Sequence, residues 1–158
     1  MTNNDILRRI RYIFDYSDSK MIKIFALGGK EITRTELSSW LRKEDHADYQ
    51  GLKDIFMASF LNGLIIDKRG RQEGPQPIPE NELTNNIIFR KLNIALKLQA
   101  DDILEILSLA DFRLSKHELS AFFRKPGHKH YRECKDQILR NFLMGLQLKK
   151  RPGTSDSE

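Results

Sequence analysis

From Asn4 onward the apolar positions recur every three or four residues, the spacing of a helix face, with no sustained alternation that would mark a strand. Ile6, Ile10, Ile13 and Phe14 make the buried face of a first helix, and Ile88, Leu92, Ala95 and Leu96 repeat it further on. Asn4 and Asn86 stand where N-caps are expected. Met21, Ile22, Phe25 and Leu27 begin a second helix after Asp18 that stops at Gly28-Gly29, matched by Ile103, Leu104, Leu107 and Leu109. Thr33-Arg34-Thr35-Glu36 and Ser115-Lys116-His117-Glu118 both have the S/T-x-x-E form that opens a third helix, with Leu37, Trp40 and Leu41, or Leu119, Phe122 and Phe123, as its stripe. A fourth helix is read through Leu52, Ile55, Phe56, Phe60 and Leu64, and again through Cys134, Ile138, Leu139, Phe142 and Leu146.

The second set of elements is a copy of the first, displaced without a gap by 82 residues, so that Thr2-Asn3-Asn4 falls on Thr84-Asn85-Asn86. Glu36-Leu37-Ser38, Arg42-Lys43, His46, Tyr49, Lys53-Asp54, Phe60-Leu61 and Gly63-Leu64 all recur at their shifted positions. The pattern therefore predicts an all-α protein built by tandem duplication of a four-helix repeat of about 68 residues. One such copy buries only about 60% of its unfolded surface, so the two are expected to pack as one pseudo-twofold unit. Residues 1–72 form the first repeat and 84–151 the second. Between them, residues 73–83 are a Pro-rich linker whose alternating prolines favour extended backbone. Residues 152–158 have almost nothing to bury and are expected to be a disordered tail.

With 39% apolar and 31% charged residues the 158-residue chain has the composition of a folded protein. No apolar run reaches the length needed to cross a bilayer, and the N-terminus lacks the apolar core of a signal peptide, so a cytoplasmic location without membrane contact is expected. The single Cys134 excludes an internal disulfide and a zinc site built on several thiolates.

Charge adds the first functional candidate. Adjacent basic pairs recur at three points of each copy: Arg8-Arg9 and Arg90-Lys91, Arg42-Lys43 and Arg124-Lys125, Lys68-Arg69 and Lys150-Arg151. The balance is uneven, with 13 Lys/Arg against 10 Asp/Glu in residues 1–72 and 14 against 7 in residues 84–151. A field of that sign favours phosphate-rich partners, and Arg124, Lys125, Lys129, His130, Tyr131 and Arg132 form the candidate RNA- or DNA-binding set, Tyr131 and Arg132 adding stacking on exposed bases. The competing explanation is that basic residues near helix ends complement the helix dipole and solvate the surface.

Other chemistry is thinner. His128, His130 and Cys134 have ligand chemistry for zinc, but the first copy places His46, Asp48 and Leu52 there, and a core thiol explains Cys134 more simply, so no metal and no cofactor are expected. His46 with Asp54, and His128 with Asp136, invite an acid-base reading. No hydroxyl nucleophile recurs with them, no phosphate loop or nucleophile elbow is present, and a structural role at the start of the fourth helix is the preferred reading; the protein is not expected to be an enzyme. Gly63 and Gly145 interrupt strongly helical segments, which calls for a close helix crossing, with the interface between the copies one place for it, or for an approaching ligand.

The stretch Phe123-Arg124-Lys125-Pro126-Gly127-His128-Lys129-His130-Tyr131-Arg132-Glu133-Cys134-Lys135-Asp136, with Ile138-Leu139-Arg140-Asn141-Phe142-Leu143, resembles the YehS-like bacterial family, domain of unknown function 1456, which occurs as two tandem copies per chain. The resemblance runs from Asn3 to about Lys150 and implies a cytoplasmic bacterial protein with a duplicated helical domain. It brings no activity, catalytic residue or cofactor. The residues therefore support a non-enzymatic binding or regulatory protein, with nucleic-acid phosphates as the first partner class. A protein-interaction adaptor using a groove between the repeats is the alternative. The oligomeric state stays open.

Overall fold

In the computed structural model, residues 1–154 are described, and eight helices with no strand are found among them. The chain divides into two compact units, Met1–Leu83 and Thr84–Glu158. The first holds α1 (Asn3–Phe14), α2 (Asp18–Leu27), α3 (Arg34–Leu41) and α4 (Asp54–Arg69). The second holds α5 (Asn85–Ala95), α6 (Ala100–Leu109), α7 (Lys116–Ala121) and α8 (Asp136–Lys150).

Helix starts follow the side chains that can satisfy the free N–H groups of a first turn. Thr33 and Ser115 form the two expected capping boxes with Glu36 and Glu118. The first helix of each unit starts differently from the expectation. Its cap is Thr2, or Thr84, whose hydroxyl accepts from the backbone N–H of Asp5 or Ile87. Burial works against a charged Asp5, yet the hydrogen bonds from Thr2 and the Arg8 guanidinium beside it outweigh that cost and hold the carboxyl below its ordinary value.

Each core is mainly aliphatic and holds a cluster of aromatic rings, arranged around different helices. In the first unit Phe25 of α2 lies 5.5 Å from Trp40 and 5.0 Å from Phe60, centroid to centroid. In the second the hub is Phe89 of α5, 5.0 Å from Phe142, 5.2 Å from Phe123 and 6.4 Å from Phe122. At the shifted positions Leu7 stands for Phe89 and Leu107 for Phe25, so the large and small side chains have traded helices while the filled volume is kept.

The glycines in α4 and α8 mark the tightest helix contact of each unit. A Cβ on Gly63 would lie 1.8 Å from the carbonyl oxygen of Ile24, and one on Gly145 would lie 2.0 Å from that of Ile106. The crossings are α2 on α4 and α6 on α8, inside the units, and what approaches the glycine is helix backbone rather than a ligand. The first unit adds a reciprocal contact: a Cβ on Gly28 would lie 1.7 Å from the oxygen of Ser59.

The fourth helix of each copy starts later than the spacing suggests, at Asp54 and Asp136, leaving Leu52 and Cys134 in the preceding loop although both are buried. The third helix of the second copy ends at Ala121, so Phe122 and Phe123 lie beyond it. The boundary between units falls after the proline-rich segment, and Leu83 is tied to the first unit by its N–H, which donates to Asp54 Oδ2 at 2.9 Å. At the other end the Thr154 hydroxyl accepts from Gln147 Nε2 and donates to the Arg151 carbonyl, both at 2.9 Å, so the tail begins with a turn against α8. The rest of the segment expected to be disordered, residues 155–158, lies outside the described residues.

Candidate nucleic-acid interface

The loop between α7 and α8 is long and has no regular structure, so its backbone groups need partners from elsewhere. Asn86, buried in the first turn of α5, supplies them. Its Nδ2 donates to the carbonyls of Phe122 at 3.1 Å and Arg132 at 2.8 Å, and its Oδ1 accepts from the N–H of Cys134 at 2.8 Å. Asn4 does the same in the first unit, donating to Trp40 and Gln50 at 3.0 and 2.8 Å and accepting from Leu52 at 2.9 Å. The asparagines expected to cap helices are therefore clamps: a primary amide has donors and an acceptor on one rigid group, which lets one buried side chain fasten both ends of a loop. This is how Leu52 and Cys134 come to be buried outside a helix.

The histidines and aspartates of the loop serve the same framework. His46 Nδ1 accepts from the N–H of Asp48, and His128 Nδ1 from that of His130, each at 3.0 Å, closing a turn. Asp54 Oδ1 accepts from Asn3 Nδ2 at 2.6 Å and Asp136 Oδ1 from Asn85 Nδ2 at 2.7 Å, which pins the start of the fourth helix to the first. The Asn85 hydrogen bond is the leading cause that holds the Asp136 carboxyl below its ordinary value. Each carboxylate expected near a histidine is thus engaged by an asparagine.

Cys134 is buried, and desolvation, followed by the nearby Asp136 charge, pushes its thiol up to about 12, far from the thiolate that zinc or a nucleophilic role requires. Among the described residues no three His, Cys, Asp or Glu side chains form a metal-binding group, His128, His130 and Cys134 included.

With the loop fastened, Arg124, Lys129, His130 and Arg132 line one cleft of about 460 Å³ together with His117, Glu118 and Ser120 of α7. Lys125 and Tyr131 are not among the lining residues; Lys125 is exposed beside the cleft and Tyr131 is half-buried. Among the described residues the side chains of Arg124, Lys129 and Arg132 make no ion pair or hydrogen bond. Glu133 pairs with Lys135 at 3.3 Å. Glu118 spends one carboxylate oxygen on the Ser115 N–H at 2.9 Å, and that bond is the leading cause that holds its carboxyl below the ordinary value. The other basic pairs serve elsewhere: Arg8 contacts Asp5 and the Arg42 carbonyl, Lys91 is buried, and Lys68 lies 4.7 Å from the Phe14 ring.

His117 was visible in the sequence only as part of a capping box. The third residue of such a box faces solvent, and its partner at the shifted position is Thr35, which lines the matching cleft of the first unit. That first cleft, of about 700 Å³, uses the same framework positions, including Glu36, Ser38 and Arg42. Where the second has His117, Lys129, His130 and Arg132, it has Thr35, Ala47, Asp48 and Gln50. Its Arg34 is occupied by Asp18 at 3.5 Å and by the Ser19 hydroxyl at 2.9 Å.

No helix among the described residues is long and apolar enough to cross a membrane. No solved structure matches the chain. It is 49% identical over 147 residues to "Uncharacterized protein YehS" of Escherichia coli (strain K12), a match that covers 92% of this chain and 94% of that protein. Residues 3–70 and 85–152 each match the profile described as "Protein of unknown function (DUF1456)", and the chain belongs to that family, carrying two tandem copies of its domain.

Proposed function

We propose that this is a non-enzymatic binding protein whose second repeat takes the phosphates of cytoplasmic RNA or DNA in the cleft between α7 and the following loop. The observation that carries this reading is the concentration of unpaired positive charge there. Among the described residues Arg124, Lys129 and Arg132 line one concavity without an ion pair or hydrogen bond, with Glu118 and Glu133 against them, while the same cleft in the first unit carries Asp18, Glu36 and Asp48 against only Arg34 and Arg42. Unpaired guanidinium and ammonium groups that converge on a cleft recognise oxyanions, with arginine suited to two-pronged contact with phosphate. Lys125 beside the cleft extends the field.

Titration of labelled RNA and DNA strands into the purified protein tests the reading. With about four phosphate contacts, log K falls against log salt with a slope of roughly −3 to −4. Arg124→Glu with Lys125→Glu abolishes binding and leaves the fold intact, since both side chains are exposed. The matching change at Arg42 and Lys43 has a smaller effect. No salt-sensitive binding at micromolar protein, or equal losses in the two double variants, counts against the proposal. A stoichiometric protein partner recovered from the native cytoplasm in place of nucleic acid moves the adaptor reading ahead.

A further inference from the structure

Resting on the phosphate reading above, we infer that the cleft of the second repeat takes an unpaired strand, its phosphates on Arg124, Lys129 and Arg132 and a base on the imidazoles of His117 and His130. The first argument is shape. Proteins that read a duplex insert a helix or a ribbon into its grooves or lay a broad basic face along it. Here the charges converge into a concavity of about 460 Å³, and α7, six residues long, is one wall of it rather than a projection. A volume of that size is in the range of small-ligand pockets, so it admits one or two nucleotides and excludes the stacked cylinder of a helix.

The second argument is what lies beside the charges. His117 and His130 both line the cleft, both are exposed, and their rings meet edge to face with centroids 6.3 Å apart. His128 continues the group, 5.5 Å from His130. An unpaired base has two free aromatic faces, and stacking on aromatic side chains, histidine included, is how single strands are held. In a duplex those faces are already covered. The first cleft, with Thr35 and Asp48 at the matching positions, has no aromatic face there.

The third argument is polarity within the cleft. The carboxylates of Glu118 and Glu133 line it as well. They repel a phosphate and accept from the amino groups of a base or from a ribose hydroxyl, so the site has a phosphate side and a base side. A surface for bare polyanions has no use for that division.

The test is fluorescence anisotropy with a labelled ten-nucleotide RNA, free and annealed to its complement, at one salt concentration. The single strand is expected to bind at least tenfold tighter than the duplex. His117→Ala with His130→Ala is expected to lower the single-strand affinity about tenfold, the scale of one base stacked on an aromatic ring, without changing the salt slope. His117→Phe with His130→Phe restores most of that loss, which separates stacking from charge. Circular dichroism of each variant verifies the fold. Duplex binding as tight as single-strand binding overturns this inference and leaves the phosphate reading standing. An alanine variant that binds like wild type also overturns it, and so does a phenylalanine variant no better than the alanine one. Binding of neither form, by this RNA or by DNA of the same sequence, defeats both readings.

Discussion

The two clefts share a framework and differ in their walls. In each, an asparagine on the first helix holds three backbone groups of the loop, a histidine Nδ1 closes a turn two residues on, and an asparagine-aspartate bond fixes the start of the fourth helix. The residues that face the cavity, Asp48, Gln50, His130 and Arg132 among them, enter this framework only through backbone groups. Thr35, Ala47, Asp48 and Gln50 could therefore become His117, Lys129, His130 and Arg132, or the reverse, without disturbing the backbone. One copy's cleft carries three carboxylates against two arginines, and the other carries three basic side chains against two carboxylates, with two imidazoles beside them. Framework and cleft wall use different groups, backbone and side chain, of the same short segment.

The largest expected effect comes from breaking the helix crossing on which each framework stands. Gly63→Val in the first unit and Gly145→Val in the second drive side-chain carbon into a facing carbonyl, and each should cost upwards of about 4 kcal/mol, because backbone on a packed helix has little room to give. The units differ at the reciprocal position. Gly28→Ala should be severely destabilising, since its Cβ would lie 1.7 Å from the Ser59 oxygen, whereas the second unit already carries Ala110 there. Urea denaturation of the full chain measures all three, and a Gly28→Ala variant as stable as wild type would show that α2 can move off α4 freely.

Next in size is the clamp. Asn86→Ala leaves the carbonyls of Phe122 and Arg132 and the N–H of Cys134 without their partner, and Asn4→Ala does the same for Trp40, Gln50 and Leu52. Each should cost about 3 kcal/mol, the scale of buried polar groups left unsatisfied. Only Asn86→Ala should also weaken RNA binding, because it frees the wall that carries Arg132. Equal losses of binding in the two variants would mean that the second cleft is not where RNA sits.

Much of this was legible in the residues, and the rest was hidden for identifiable reasons. Helix periodicity and the S/T-x-x-E boxes located the elements because those signals are local. The two asparagines were misread as caps. An Asn beside a helix start is a normal cap signal, and only the fold reveals that Thr2 and Thr84 take that role while the amides reach loops 36 to 48 residues away. Leu52 and Cys134 looked helical because burial was inferred from periodicity, whereas the clamp buries them in a loop. Four residues of the candidate set, Arg124, Lys129, His130 and Arg132, do line one cleft, since all four lie within nine residues of one loop. His117 was missed because it comes from the other side of the cleft, and sequence proximity carries no signal for that.

A transfer of wall residues sharpens the comparison directly. Thr35→His, Ala47→Lys, Asp48→His and Gln50→Arg together give the first cleft the side chains of the second on an already equivalent backbone. If the walls alone decide binding, stoichiometry should rise from one strand to two per chain. The affinity of the new site should come within about tenfold of the original, or about 1.4 kcal/mol, the remainder reflecting Asp18 and Glu44, which the second unit lacks at those places. Calorimetric titration reports both quantities. An unchanged stoichiometry would show that something beyond these four positions distinguishes the clefts.

The smallest expected effect separates the anchors of the fourth helices. Asp136 accepts from Asn85, and that hydrogen bond is the leading cause that holds its carboxyl below the ordinary carboxylate value, near 3.9 in an unfolded chain. A group whose folded pKa is depressed stabilises the fold above the unfolded value, and the contribution is lost as pH falls through the folded one. Asn85→Ala should therefore lower stability at pH 7 by less than about 1 kcal/mol, because Asp136 is exposed and solvent screens the interaction. The gap to wild type should narrow as the pH falls below 4 and on through the depressed folded value, where the carboxyl becomes protonated in both. Melting temperatures of the two proteins between pH 7 and pH 3 measure it. A difference that stays constant across that range would mean that Asn85 acts through packing in α5 and not through the Asp136 charge.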